Sequence, residues 1–252
     1  MFRYFLGLLL SIPACIAAAA TPVAAPGIVH AEQVVLLVRD TGMYNAGRGV
    51  ALRAGDLLDS RDGTVQLDIG GAAISLGPGT RLFFRQAAEV VLLQGWLKVR
   101  GSATRALAVN ATLLRFDAAG ATAIVHATPG ATEVFAETGE LALHELNAGK
   151  PGRKLKLPGE QFAVRSGAQP LRVLARPAAP FLAAMPPGFR DLLVPLAQGP
   201  AVLPKRERRA EYAELAPWLA HQPALRQQVQ RRFEPPRPRR AAASPSHFNQ
   251  QP

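Results

Sequence analysis

Only one cysteine occurs in the 252 residues, Cys15, and it lies within the first twenty positions. A disulfide framework and any cysteine-ligated metal or redox centre are therefore excluded for the body of the chain. Aromatic residues are few, at 6%, and Trp96 and Trp218 are too far apart in sequence to announce a sugar-binding platform. Acidic residues number 18 against 29 Lys and Arg, which leaves a formal charge of +11. Long apolar runs are lacking too. The stretch from Phe5 to Ala20 has 16 residues, where a membrane-spanning helix needs about 20.

Catalytic and ligand-binding motifs are equally sparse. The histidines His30, His126, His144, His221 and His247 show neither His-Glu-x-x-His nor any paired spacing. Ser75, in Ala73-Ile-Ser-Leu-Gly77, is one residue from a nucleophile elbow. The Gly77-Pro78-Gly79 that follows cannot begin the required helix, so Ser75 reads as a strand residue. Asp56, Asp59 and Asp62 lack the alternate spacing of a calcium loop, and Asp62-Gly63 is explained by a turn. Gly149-Lys150 has no phosphate-loop frame, so Lys150 to Lys156 reads as a solvated basic turn. No catalytic residue, cofactor, metal or small-molecule substrate is expected.

What is present is turn chemistry and alternation. Gly and Pro each occur 22 times, and apolar residues make 48% of the chain, which suits a folded protein of many short elements. Thr64 to Ile69 alternates polar and apolar, Gly70-Gly71 can turn the chain, and Ala73 to Leu76 resumes the pattern. The same reading gives strands at Val34–Arg39, Glu89–Leu93, Trp96–Arg100, Leu107–Phe116, Thr122–His126, Thr132–Ala136, Glu140–Leu143, Lys154–Leu157 and Gln161–Arg165. Turns are expected at Gln94-Gly95 and Thr138-Gly139. The fold class expected is mainly β, an all-β sandwich or roll of about a dozen short strands. Its buried face should include Val65, Leu67, Ile69, Leu76, Leu92, Leu97, Val99, Val134, Leu141 and Leu143.

Charge and period both change after Ala175. Residues 21–175 hold 16 basic and 13 acidic side chains, and residues 176–252 hold 12 and 5. Four prolines in residues 176–188 suggest a linker, which separates a β domain (33–175) from a basic helical segment (189–233). In that segment Leu225, Val229 and Phe233 form an apolar stripe, with Arg226, Arg231 and Arg232 on the remaining surface. A second helix is expected over Glu207–Leu219, broken by Pro217. Residues 234–252 have no apolar period and are expected to be disordered.

At the other end, Arg3, the apolar run Phe5 to Ile12 and the small residues Ala17 to Ala20 have the layout of a secretory signal peptide over residues 1–20. Ile12-Pro13-Ala14-Cys15 resembles a loose bacterial lipobox. Two outcomes therefore stand: cleavage near Ala18 to Ala20, or lipidation of Cys15 as the mature N-terminus.

The order of turns resembles a known family. Gly55-Asp-Leu-Leu-Asp-Ser-Arg-Asp-Gly-Thr-Val-Gln-Leu67, Ile74-Ser-Leu-Gly-Pro-Gly-Thr-Arg-Leu82 and Leu92-Leu-Gln-Gly-Trp-Leu-Lys-Val99 are similar to successive segments of FecR-like periplasmic domains. Thr132 to Leu143 resembles that family's second hairpin and Leu155 to Glu160 its closing turn, so the resemblance covers roughly residues 47–165. Ala119-Gly120-Ala121-Thr122 stands where the family usually has Arg-Gly-Thr. A leader stands where FecR regulators have the cytoplasmic segment and membrane helix that reach a sigma factor. The resemblance implies a periplasmic location and a non-catalytic protein-interaction or signalling role, without a known ligand.

The expectation is thus an exported envelope protein with a protein partner. The basic C-terminal helix, through Arg226, Arg231 and Arg232, offers a second contact to an acidic protein surface or an anionic membrane. Nucleic acid is not the partner expected in that compartment. The other class considered is a peptidoglycan- or glycan-binding protein or envelope enzyme, which would need a carboxylate pair in a cleft or an aromatic platform.

Overall fold

The computed structural model describes residues 27–31, 33–86, 88–147, 150–194 and 199–235. Residues 1–26, with Cys15 and the expected leader, and residues 236–252 lie outside the described residues. Within them the protein is mainly β. The first strands are β1 (Gly27–Ala31), β2 (Val35–Arg39), β3 (Gly42–Ala46), β4 (Leu57–Asp59), β5 (Val65–Ile69) and β6 (Ala72–Leu76). They are followed by β7 (Arg81–Gln86), the long β8 (Glu89–Arg100), β9 (Leu107–Asn110), β10 (Leu114–Ala118) and β11 (Thr122–Ala127). Then come β12 (Ala131–Thr138), β13 (Glu140–Asn147), β14 (Lys150–Pro158), β15 (Phe162–Ser166) and β16 (Arg172–Leu174). The remaining chain forms α1 (Ala179–Ala184), β17 (Lys205–Arg209), α2 (Tyr212–Leu215) and α3 (Pro223–Gln230), with 3-10 turns at Pro187–Phe189 and Ala216–Leu219.

The strands build two sheets that share β8. The first runs β1-β5-β6-β8-β11-β12-β15-β16. The second runs β17-β3-β2-β4-β7-β8-β9-β10-β13-β14. Every pairing is antiparallel except that of β8 with β9. The inner faces meet in one apolar core, and all ten positions expected on the buried face belong to it.

β8 corrects the sequence reading. Gln94-Gly95 was expected to be a hairpin turn, but the strand runs on through it and passes from one sheet into the other. Its first half pairs with β7 and its second half with β6 and β11. Gly95 permits the passage because its φ of 97° suits glycine, and a Cβ there would lie 2.6 Å from Thr80 Oγ1. A hairpin and a bent strand put the same residues in the same alternation, so period alone did not separate them. Leu107–Phe116, expected as one strand, is likewise two strands, β9 and β10, folded back on each other. Lys150–Arg153, read as a loop, is the start of β14. Gly70-Gly71, with φ of 63° and 86°, makes the β5–β6 hairpin as the sequence indicates.

The segment after Ala175 departs most from expectation. Residues 176–188 do not hang free: Pro180 sits in the first turn of α1, where its missing N–H costs nothing. Phe181, Met185 and Phe189 cover Trp96, Ile124 and Phe162 on the outer face of the first sheet. Leu215, Leu219, Leu225 and Val229 cover Leu36, Val38, Leu57, Phe83, Val91 and Leu93 on the outer face of the second. Glu207–Arg209, expected to be helical, belongs to strand β17, and helix begins only at Tyr212 and yields to a 3-10 turn at Pro217. Cutting the chain at Ala175 would therefore strip an apolar cover from both sheets.

Candidate functional site

The three arginines chosen from the sequence do not form one patch. The stripe of α3 packs on the second sheet, with Leu225 and Val229 each 1% exposed. Arg226 is exposed and donates through Nε to the Tyr212 hydroxyl at 3.2 Å. Arg231 is exposed. Arg232 turns inward: its Nη1 donates to the Gly55 carbonyl at 2.7 Å, and its guanidinium lies 5.9 Å from the Phe83 ring centroid. Burial pushes its pKa down, against the pull of Asp56 and Asp40 upward. Arg232 thus fastens the helix to the β domain.

Of the carboxylates that cluster in sequence, Asp56 and Asp59 are engaged structurally and Asp62 is exposed. Asp56, 2% exposed, accepts from Arg39 Nε at 3.0 Å and Nη2 at 2.7 Å and from the Arg53 N–H at 2.7 Å. That bond holds the Arg39 pKa above its ordinary value. Asp59 accepts from Arg81 at 3.1 Å. Among the described residues no group of three or more His, Cys, Asp or Glu could hold a metal ion. The Leu-Gly-Pro-Gly-Thr motif is a structural lock. Ser60 Oγ donates to Gly77 O at 2.7 Å, while Thr80 Oγ1 accepts from the Trp96 N–H and donates to its carbonyl, both at 3.0 Å.

Sequence reasoning missed Lys98. Its side chain is 1% exposed on the outer face of the first sheet, and Nζ donates to Phe189 O and Asp191 O at 2.8 Å and pairs with Glu137. A polar residue in the outward register of β8 was the only signal. Arg100, two residues on, donates to Leu193 O at 3.3 Å, and Gln66 to Val194 O at 2.6 Å. These side chains hold residues 189–194 down as a strap. Beside the strap, a shallow polar cavity of about 390 Å³ is lined by Arg100, Ser102, Thr122, Thr138 and glycine backbone.

A run of exposed basic residues lies instead on the edge strand β17, Lys-Arg-Glu-Arg-Arg, in which all five residues are exposed. Arg208 is held by Glu214 in a two-pronged bond of 2.9 and 2.8 Å. Lys205, Arg206 and Arg209 make no ion pair among the described residues. No helix among the described residues is long and apolar enough to cross a membrane.

No protein-family model matches the chain, and no curated protein matches it. Two crystal structures of candidate anti-sigma factors from Parabacteroides distasonis ATCC 8503 align with it. One, at 13% identity and a TM-score of 0.39, covers 46% of this chain and 57% of that one. The other, at 14% identity and a TM-score of 0.35, covers 42% and 52%. The chain thus spans little more than half the length of either structure.

Proposed function

We propose that the chain is an exported bacterial envelope protein whose FecR-like β domain is a non-catalytic protein-interaction module with a signalling or regulatory role. The observation that carries this reading is how the surface is used. The apolar parts of both outer sheet faces are covered by the chain's own C-terminal segment, and the edge strand β17 keeps a row of exposed charged residues for a partner. The buried carboxylate of Asp56 serves an ion pair with Arg39. The reading places the mature protein in the periplasm, soluble if cleaved after Ala18 to Ala20 and anchored if Cys15 is lipidated.

Cell fractionation with mass spectrometry of the N-terminus tests the location: an intact Met1 on cytoplasmic protein overturns it. Crosslinking in intact cells tests the role. A reproducible protein adduct is expected, and its absence under conditions that crosslink known envelope complexes overturns the interaction reading.

The cavity beside Arg100 favours a second reading, glycan binding, because hydroxyls and one guanidinium suit a polar ligand. Titration with peptidoglycan fragments decides between them: saturable binding that Arg100→Ala removes would move the assignment there.

A further inference from the structure

The second sheet ends in β17, whose backbone pairs with β3 on one side only among the described residues. Along a strand the N–H and C=O of alternate residues point to opposite sides, so an edge strand keeps a row of groups open to another strand. Every side chain of β17 is exposed, with four cations against one carboxylate. The bulge between Arg206 and Arg208 displaces Glu207 from the register.

The other edges are less suitable, and β1 is already held on its second side, where Ile28 donates to Val50 O at 2.9 Å and accepts from the Gly49 N–H at 2.8 Å. β14 closes the opposite end of the same sheet, but it contains Pro151 and Pro158, which cannot donate to a ladder, and its Lys156 is paired with Glu140 at 2.8 Å. β16 has three residues. β17 has no proline, and the bond from Arg208 to Glu214, with the capping box at Glu211 and Glu214, fixes its exit into α2.

We propose that β17 is a docking edge for an extended acidic segment of a partner protein, which would add as a strand beside Lys205, Arg206 and Arg209. A like-charged edge repels a second copy of itself, and the same charge attracts a strand rich in Glu or Asp. Backbone groups on the edge give the segment a ladder that a lipid surface cannot form, which favours a peptide over an anionic membrane. The inference rests on the protein-interaction reading above and adds the surface and the partner's chemistry.

The test uses the purified protein and a synthetic peptide of about ten residues, alternating Glu with Val or Thr, which is long enough to lie along β17. Saturable binding is expected, weakening as salt rises from about 0.05 to about 0.5 M. The triple variant Lys205→Glu, Arg206→Glu, Arg209→Glu should bind about ten-fold more weakly or worse, with unchanged circular dichroism. N-methylation of alternate peptide amides should also weaken binding about ten-fold, because it removes ladder donors. Equal affinity for the methylated peptide, or binding only to phosphatidylglycerol vesicles, overturns the strand-addition proposal. Crosslinking with the triple variant separates this failure from that of the wider reading: an adduct kept by the variant overturns the edge alone, and no adduct with either protein overturns the interaction role.

Discussion

Lys98 Nζ lies 2.8 Å from Glu137 Oε2, and Glu137 is the extra residue of a bulge between β11 and β12. The bulge re-aims the carboxylate toward a lysine two strands away. With its other hydrogens Lys98 holds the carbonyls of Phe189 and Asp191, so one buried cation joins the sheet to the strap.

Replacing that cation by an apolar chain, Lys98→Met, leaves two carbonyls and a carboxylate without their donor. Glu137 is 25% exposed and can recover water, so we expect a loss of about 2–4 kcal/mol in urea denaturation. Proteolysis between residues 190 and 204 should quicken. Wild-type stability together with wild-type cleavage would remove Lys98 as the fastener.

Gly95→Val tests the passage of β8 between sheets. It places a branched side chain at φ 97° and against Thr80, where no space exists. Strain and overpacking together should cost roughly 2–4 kcal/mol, measured by thermal or urea unfolding. Gly130, where a Cβ would meet nothing within 4 Å, is the control, and Gly130→Ala should be nearly neutral.

The three tail arginines should separate by stability. Arg232→Ala loses the bond to Gly55 and the contact with Phe83, and we expect about 1–2 kcal/mol of destabilisation. Arg226→Ala and Arg231→Ala should stay within about 0.5 kcal/mol of wild type. Equal effects at all three positions would contradict the inward turn of Arg232.

Glu214 provides a pH test. Hydrogen bonds from Arg208, then from the Glu211 backbone, hold its pKa below the ordinary carboxylate value. A lowered folded-state pKa contributes stability above the unfolded value, and that contribution is lost as pH falls through the folded one. Side-chain carboxyl NMR should therefore show Glu214 titrating below the ordinary glutamate value, and Arg208→Gln should raise it toward that value. No movement in that variant would show that Arg208 is not the cause.

By itself the sequence determined the inner core, the Gly70-Gly71 hairpin and the alternation of most core strands. Alternation assigns each residue to a side of its strand, and Gly70-Gly71 marks a hairpin, but Thr138-Gly139, expected as a turn of the same kind, joins β12 to β13, which lie in different sheets and do not pair. Leu225 and Val229 were legible in the same way, since a helical stripe must face something apolar. Only tertiary structure decided what covers each outer face. The runs Val35–Val38 and Val90–Leu93 are apolar on both sides, which signals burial on both sides but does not name the cover. β17 was invisible because Lys-Arg-Glu-Arg-Arg has no apolar period: backbone hydrogen bonds to β3, and not side-chain burial, make it a strand. Arg232 and Lys98 were decided the same way, because a long cation points to solvent or to a carbonyl according to what distant chain lies within its reach.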